Sequence, residues 1–263
     1  MLWVLLASDS SYVEVSGVWD WGDILIRRIY REGERKDGVG WPWIEFVDRQ
    51  TGRILFKSYM YDETLRVSLP LDVYLRDFDG DGMDEALLTF TTGGSACCFE
   101  SYLFDRNWHD FRAVLKLEGP ILKRIEDIDG DGDLELIFLD DIWYPYLSNA
   151  DQAMYYLVYS YDEERRRWGC SRRMTIELNS QHLWSGEKIS PPGKTGWGDF
   201  PVYPYEYQNM NFLIFSGRLA QARKYFMGRY RGEDPERVWR EVLEIASSHP
   251  GFGCVYPHFR VGD

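Results

Sequence analysis

Twice in this chain, nine residues place five acids on a glycine-punctuated turn and then run straight into an apolar stretch. The first copy is Asp77-Phe78-Asp79-Gly80-Asp81-Gly82-Met83-Asp84-Glu85, leading into Ala86-Leu87-Leu88-Thr89-Phe90. The second is Asp127-Ile128-Asp129-Gly130-Asp131-Gly132-Asp133-Leu134-Glu135, leading into Leu136-Ile137-Phe138-Leu139. Carboxylates this crowded repel one another in any compact fold unless a cation sits among them. Gly80, Gly82, Gly130 and Gly132 allow the positive φ that a wrapped loop requires. The runs that follow are strand-like and show no helical period, so each loop joins strand to strand.

The acidic loops begin 50 residues apart, and a second marker repeats beside them. Ile44-Glu45-Phe46-Val47-Asp48, Ser101-Tyr102-Leu103-Phe104-Asp105 and Val158-Tyr159-Ser160-Tyr161-Asp162 each end an apolar or aromatic run on Asp, at intervals of 57 residues. A short polar turn follows each, which is the pattern of a hairpin. The expected unit is a hairpin, a further strand, and an acidic loop leading into the next strand. It occurs about three times. The third copy lacks its loop, expected near Met174 to Gly186, and Tyr12 to Tyr30 reads as a degenerate N-terminal unit.

Periods of this size point to propeller blades, of which a closed propeller typically has four to eight. With three to four units here, the sequence predicts a mainly β fold of incomplete or very small propeller-like repeats. Gly186 to Tyr207, rich in Pro and Gly, reads as loop. Beyond it Leu219, Ala222, Phe226 and Tyr230 share a helical face. Asp234-Pro235-Glu236 reads as an N-cap followed by a Pro-led acidic first turn. Val238, Trp239, Val242, Leu243 and Ala246 then form a second apolar stripe. The expectation is a β-repeat domain over 1–207 and a C-terminal helical pair over 208–263, packed on the β domain as a cap.

Calcium is the cation that suits the loops, being a hard ion that takes six to eight oxygens. The expected ligands in the first loop are Asp77, Asp79, Asp81, the carbonyl of Met83, and Glu85. In the second they are Asp127, Asp129, Asp131, the carbonyl of Asp133, and Glu135. Two Ca²⁺ sites are therefore predicted. An EF-hand is excluded by counting, because its bidentate Glu would fall at Leu88 and Phe138.

This arrangement resembles the calcium loop of FG-GAP and VCBS-type repeats, which occur in integrin-like propellers and bacterial secreted proteins. The likeness covers about residues 70 to 140 and carries over only the metal ligands just named. Thr92-Gly93-Gly94-Ser95-Ala96-Cys97-Cys98 is similar to the Gly-Gly-Ala-His-Cys-Cys segment of uncharacterised bacterial VCBS-type proteins, with Ala96 where His would stand. Those proteins also tend to end in helices, and the resemblance implies no transferable activity.

The formal charge of −13 argues against nucleic acid or an anionic membrane face as partner. No apolar run reaches the length of a membrane helix, so no membrane insertion is expected. Met1 to Ala7 reads as a first strand or a signal remnant, the strand being favoured. Cys97, Cys98, Cys170 and Cys254 permit disulfides, with Cys170 and Cys254 as candidate partners for the adjacent pair; four reduced thiols are the alternative. Calcium loops and paired cysteines together suggest a secreted or periplasmic protein.

His109, His182, His249 and His258 are isolated, and no nucleophile elbow, phosphate loop or metalloprotease helix is present. A carboxylate pair for hydrolysis is spatial and leaves no local spacing, so Asp140-Asp141 and Glu163-Glu164 are candidates only in that acids abound. Trp19-Asp20-Trp21, Trp41-Pro42-Trp43, Trp143-Tyr144-Pro145-Tyr146 and Trp197-Gly198-Asp199-Phe200 either fill interfaces between β units or stack on sugars and partners. The sequence thus predicts a non-enzymatic, calcium-binding β-repeat protein for interaction or adhesion, with a protein or glycan partner. The alternative is a carbohydrate-binding or carbohydrate-hydrolysing protein that uses exposed rings.

Overall fold

The computed structural model describes residues 13–31, 43–58, 69–91, 99–107, 110–141, 154–183, 204–230 and 233–259. The fold is mainly β, with a helical C-terminal region, and it divides into two compact units, Met1–Gly119 and Pro120–Asp263. Met1 to Ala7, the Cys97-Cys98 pair and the Gly186 to Tyr203 part of the expected loop lie outside the described residues.

The first unit holds two four-stranded sheets. Strands β1 (Val13–Trp21), β2 (Ile24–Arg31), β3 (Trp43–Asp48) and β4 (Ile54–Lys57) pair antiparallel in chain order. Strands β5 (Leu69–Arg76), β6 (Glu85–Thr91), β7 (Phe99–Asn107) and β8 (Asp110–Gly119) repeat the pattern. Both sheets feed one core, in which Trp21, Ile24, Ile26, Ile44 and Phe46 pack with Ala86, Leu88, Phe90 and Phe104. Phe46 lies at its centre, with ring centroids 4.9 Å from Phe56, 5.0 Å from Phe111 and 5.1 Å from Phe104. The β1–β2 connection is the tight turn Gly22-Asp23. Gly22 has φ +63°, and an added Cβ there would fall 1.8 Å from the Arg106 guanidinium, so a larger residue would be strained and would displace Arg106. Arg106 Nη1 reaches Asp23 Oδ1 at 2.6 Å across that turn.

The second unit opens with the same meander: β9 (Ile121–Glu126), β10 (Glu135–Asp141), β11 (Met154–Asp162) and β12 (Arg167–Cys170). Five helices follow among the described residues: α1 (Arg172–Gln181), α2 (Pro204–Phe215), α3 (Leu219–Arg229), α4 (Pro235–Ser247) and α5 (Pro250–Val255). The expected pair corresponds to α3 and α4. Ala222 and Phe226 of α3 are buried, as are Val238, Trp239, Val242 and Ala246 of α4. Asp234 caps α4 by accepting the Arg237 amide at 3.1 Å, with Pro235 in the first turn as predicted. Helix α2 starts at Pro204, so the last residues of the stretch expected to be loop are helical.

The repeat is real, but its phase differs from the sequence reading. The acidic loops join the first strand to the second in their sheets, and the hairpins marked by Asp48, Asp105 and Asp162 join the third to the fourth. Asp48 accepts the Gln50 and Thr51 amides and Asp162 accepts the Arg165 amide, the side-chain turn that aspartate favours. The sheet without an acidic loop is the first, where Gly22-Asp23 takes its place. Met174 to Gln181, where a lost third loop was sought, belongs to α1.

Helix α1 takes over the edge of β11 where β12 ends. Strand β12 pairs with β11 only from Tyr159 to Asp162, and among the described residues no strand pairs with the same edge of β11 from Met154 to Val158. Side chains of two helices complete that edge at every second residue. Thr175 Oγ1 accepts the Val158 amide, and Asn179 both accepts the Tyr156 amide at 2.9 Å and donates to its carbonyl at 2.8 Å. Gln208 of α2 accepts the Met154 amide at 2.9 Å and donates back to its carbonyl. These side chains thus stand in for a strand and satisfy backbone groups that burial would otherwise penalise. Met174 and Leu178, on the same face of α1, pack on Ile137 and Val158.

The C-terminal end is held by a disulfide between Cys170 and Cys254, Cα atoms 5.9 Å apart. These cysteines pair with each other, so the expectation that they partner Cys97 or Cys98 is corrected. The bridge closes a loop with a sequence separation of 84, a length for which chain entropy predicts about 4–5 kcal/mol of stabilisation. Nearby, the fully buried Tyr155 stacks on Phe215 and donates to Asp140 at 2.6 Å. Asn179→Leu should lower stability by about 2–4 kcal/mol, because it leaves both the N–H and the C=O of Tyr156 unpaired. Urea unfolding measures it; a loss below about 0.5 kcal/mol would show that the edge does not depend on the helix.

Candidate metal centres

Each acidic loop leaves one strand and enters the next of the same sheet, so its ends are pinned by ladder pairs. Arg76 pairs with Glu85 and Glu126 with Glu135. Three internal bonds recur in both loops. The Gly82 amide donates to Asp77 Oδ2 at 2.9 Å, and the Gly132 amide to Asp127 Oδ2 at 3.2 Å. The Phe78 amide donates to Glu85 Oε2 at 2.7 Å, and the Ile128 amide to Glu135 Oε2 at 2.8 Å. At position seven, Met83 and Asp133 each donate their amide to the aspartate two residues back, Asp81 and Asp131. Gly82 and Gly132 adopt φ +87° and +104° with open space around them, so backbone conformation alone selects glycine there.

These turns fold the acids inward. In the first loop, ligand atoms of Asp77, Asp79, Asp81 and Glu85 all lie within 4.8 Å of one another. In the second, Asp127, Asp129 and Glu135 meet the same limit. Asp131 is not part of that second set, and it lines a cleft of about 490 Å³ bordered by Arg165, Arg167 and Arg173. Leu88 and Phe138, where an EF-hand would need its glutamate, are buried strand residues.

Glu85 and Glu135, each 1% exposed, stand at the floor of the two sets. Desolvation pushes the Glu85 carboxyl up to about 8, against the hydrogen bond from the Phe78 amide and with added repulsion from Asp79 and Asp81. Desolvation likewise lifts Glu135 to about 7, with Asp129 and Asp131 adding to it. Asp79 rises to about 6, again by desolvation first and then by the charge of Asp81. Asp77 Oδ1 is buried without a hydrogen-bond partner, although its sister oxygen is bonded to Gly82. A buried carboxylate oxygen left bare within a ring of acids is what an oxygen-seeking cation would satisfy. On that observation the first loop fits a hard, oxygen-coordinated cation such as calcium, and the second offers the same carboxylate donors without a bare oxygen on Asp127.

Two supporting features escaped the sequence reading. Trp21 Nε1 donates to the Asp84 carbonyl at 2.5 Å, tying the β1–β2 turn to the back of the first loop. Arg173 of α1 pairs with Asp129 at 2.5 Å. Neither has a local signature, since the partners are far apart in sequence.

The other candidates that fall among the described residues join neither carboxylate set. His182 leans on Tyr156 with centroids 4.6 Å apart and its Nδ1 lies 2.9 Å from the Leu178 carbonyl. His249 Nδ1 lies 3.2 Å from Asp140 Oδ2, which also receives the Tyr155 hydroxyl. Glu163 and Glu164 are exposed in the β11–β12 turn and His258 is exposed near the C-terminus. Trp21 is buried between the sheets of its unit, and Trp19 packs against the same core. His109, Trp41, Trp143 to Tyr146 and Trp197 to Phe200 lie outside the described residues. No helix among the described residues is long and apolar enough to cross a membrane. No protein-family model and no curated protein matches the chain.

The raised carboxyls carry a pH signature. Asp79, Glu85 and Glu135 bind protons more tightly folded than unfolded, so their contribution to stability is complete below about pH 4. It is lost as pH rises through about 6, 7 and 8. A bound cation reverses this by favouring the charged forms. The gap in melting temperature between calcium-loaded and chelated protein should therefore widen from pH 5 to pH 8; a constant gap across that range would contradict the assignment.

Proposed function

We propose that this chain is a calcium-stabilised β-repeat protein in which the ions hold the sheets and take no part in chemistry. The observation that carries the reading is the two loops with matching internal bonds. Each turns its carboxylates to a common centre, and one of them leaves the buried oxygen of Asp77 bare. Ca²⁺ fits because every donor is a hard oxygen and no His or Cys among the described residues joins either set. Bound there, it would supply the positive charge that lets Glu85 and Glu135 stay ionised while buried. The remaining work belongs to the chain: Asp77 and Asp127 anchor the turn through the glycine amides, and the two glutamates lock position two of each loop.

In this reading the three meander sheets are propeller-type blades, the second and third bearing calcium between their first two strands. The partners are a protein or a glycan, with the blades as a rigid scaffold for interaction or adhesion. The Cys170–Cys254 disulfide supports a secreted or periplasmic setting, where such bonds persist and calcium is plentiful.

Calorimetric titration of chelator-treated protein should show about two calcium sites, with Asp79→Ala deleting the first and Glu135→Ala the second. A ligand that binds only the folded state stabilises it by about 2.7 kcal/mol at a hundredfold excess over Kd. Chelation should accordingly lower the melting temperature by roughly 10 °C, reversibly. An unchanged melting curve after confirmed metal removal would show that the loops are not structural.

A further inference from the structure

We propose that the two loops are unequal, because Arg173 of α1 acts as a tethered cation that competes with calcium at the second loop. The inference rests on the calcium reading above and concerns the regulation of that site. The loops share three turn bonds but differ at Asp77 and Asp127 and in what surrounds them. In the first, no Lys or Arg among the described residues is ion-paired with Asp77, Asp79, Asp81 or Glu85, and Asp77 Oδ1 is buried and bare. In the second, both oxygens of Asp127 accept loop amides, from Gly130 at 2.6 Å and Gly132 at 3.2 Å. Asp129, which belongs to the carboxylate set, is held by Arg173 Nη2 at 2.5 Å.

The position of Arg173 is itself unusual. It lies in the first turn of α1, which contains no acidic residue. A cation at that end of a helix opposes the macrodipole, where an anion would be favoured. Its neighbour Arg172 offsets this by donating to the Val255 carbonyl at 2.9 Å. Arg173 offsets it through Asp129, and a second acceptor waits one turn along α1, with Glu177 Oε2 3.9 Å from Arg173 Nη1. Arg173 therefore stands between two acids. One belongs to the metal set and the other does not. The side chain is 61% exposed, so it is free to swing. It also borders both clefts beside the loop, one reaching Arg165 and Arg167 and the other Arg124 and Gln181. When a divalent ion takes Asp129, Arg173 moves to Glu177, and occupancy of the second loop is thereby read out by α1. That helix also completes the edge of β11.

A single positive charge already holding one carboxylate should weaken divalent binding by roughly tenfold in a near-aqueous dielectric. Calcium titration of the full chain by calorimetry should then resolve two unequal steps. Asp79→Asn should remove the tighter step and Glu135→Gln the weaker. Arg173→Gln should strengthen the weaker step about tenfold and leave the tighter one unchanged, whereas Glu177→Gln should weaken the weaker step further. Two equal steps, or a second-loop affinity that Arg173→Gln lowers or leaves alone, would overturn the inference and leave the calcium reading intact. Absence of any calcium step in the wild-type chain would overturn both.

Discussion

Repulsion among carboxylates is the constraint to which the rest of this structure answers. Four acids in one loop and three in the other bring ligand atoms within 4.8 Å of one another, and in each loop one is a fully buried glutamate. Nothing in an apolar β fold requires that arrangement, and desolvation alone opposes it. The turn bonds from glycine amides and the position-two amides partly offset the cost. They do so by pointing N–H groups at carboxylate oxygens, which fixes the loop in one shape. That shape is the start of β6 and β10, because Glu85 and Glu135 are the first residues of those strands. Local charge, loop geometry and strand register are therefore one problem, which a cation bound as proposed would answer at once.

Each unit supports its loop differently. In the first, the indole of Trp21 grips the Asp84 carbonyl, and the same ring packs edge-on to Phe46 at 5.6 Å. The back of the loop is thus fastened to the apolar core. In the second, support comes from α1, whose Thr175 and Asn179 continue the sheet while Arg173 reaches the loop. A disulfide then ties the strand that precedes α1 to α5. The first loop rests on packing and the second on a helix that carries charge, which is the physical root of their inequality.

What was legible in the sequence is what is local. Glycines at positive φ, the Asp48 and Asp162 turns and the cap of α4 each declare themselves by type and spacing, and the structure places them as read; the acids of each loop also converge, except that Asp131 stays outside the second set. The phase of the repeat was not legible, because the first sheet joins its opening strands through Gly22-Asp23, a turn too short to resemble the acidic loops. Helix α1 was hidden because its buried face carries Thr175 and Asn179, polar residues that match no amphipathic stripe. The partner of Cys170 could not be read from four cysteines, since pairing is a fact of three dimensions. Arg173 was invisible for the same reason: its partner Asp129 lies on another element, and an arginine in a helix looks like any solvated side chain.

The central claim is that calcium occupies the carboxylate centres. Diffraction from crystals grown in calcium, collected where calcium scatters anomalously, tests it most directly. The account predicts anomalous density at the centre formed by Asp77, Asp79, Asp81 and Glu85, with oxygen ligands at about 2.3–2.6 Å. It predicts a weaker peak beside Asp127, Asp129 and Glu135, with Arg173 turned toward Glu177. Well-ordered loops with no anomalous density at either centre, in crystals soaked in millimolar calcium, would contradict it.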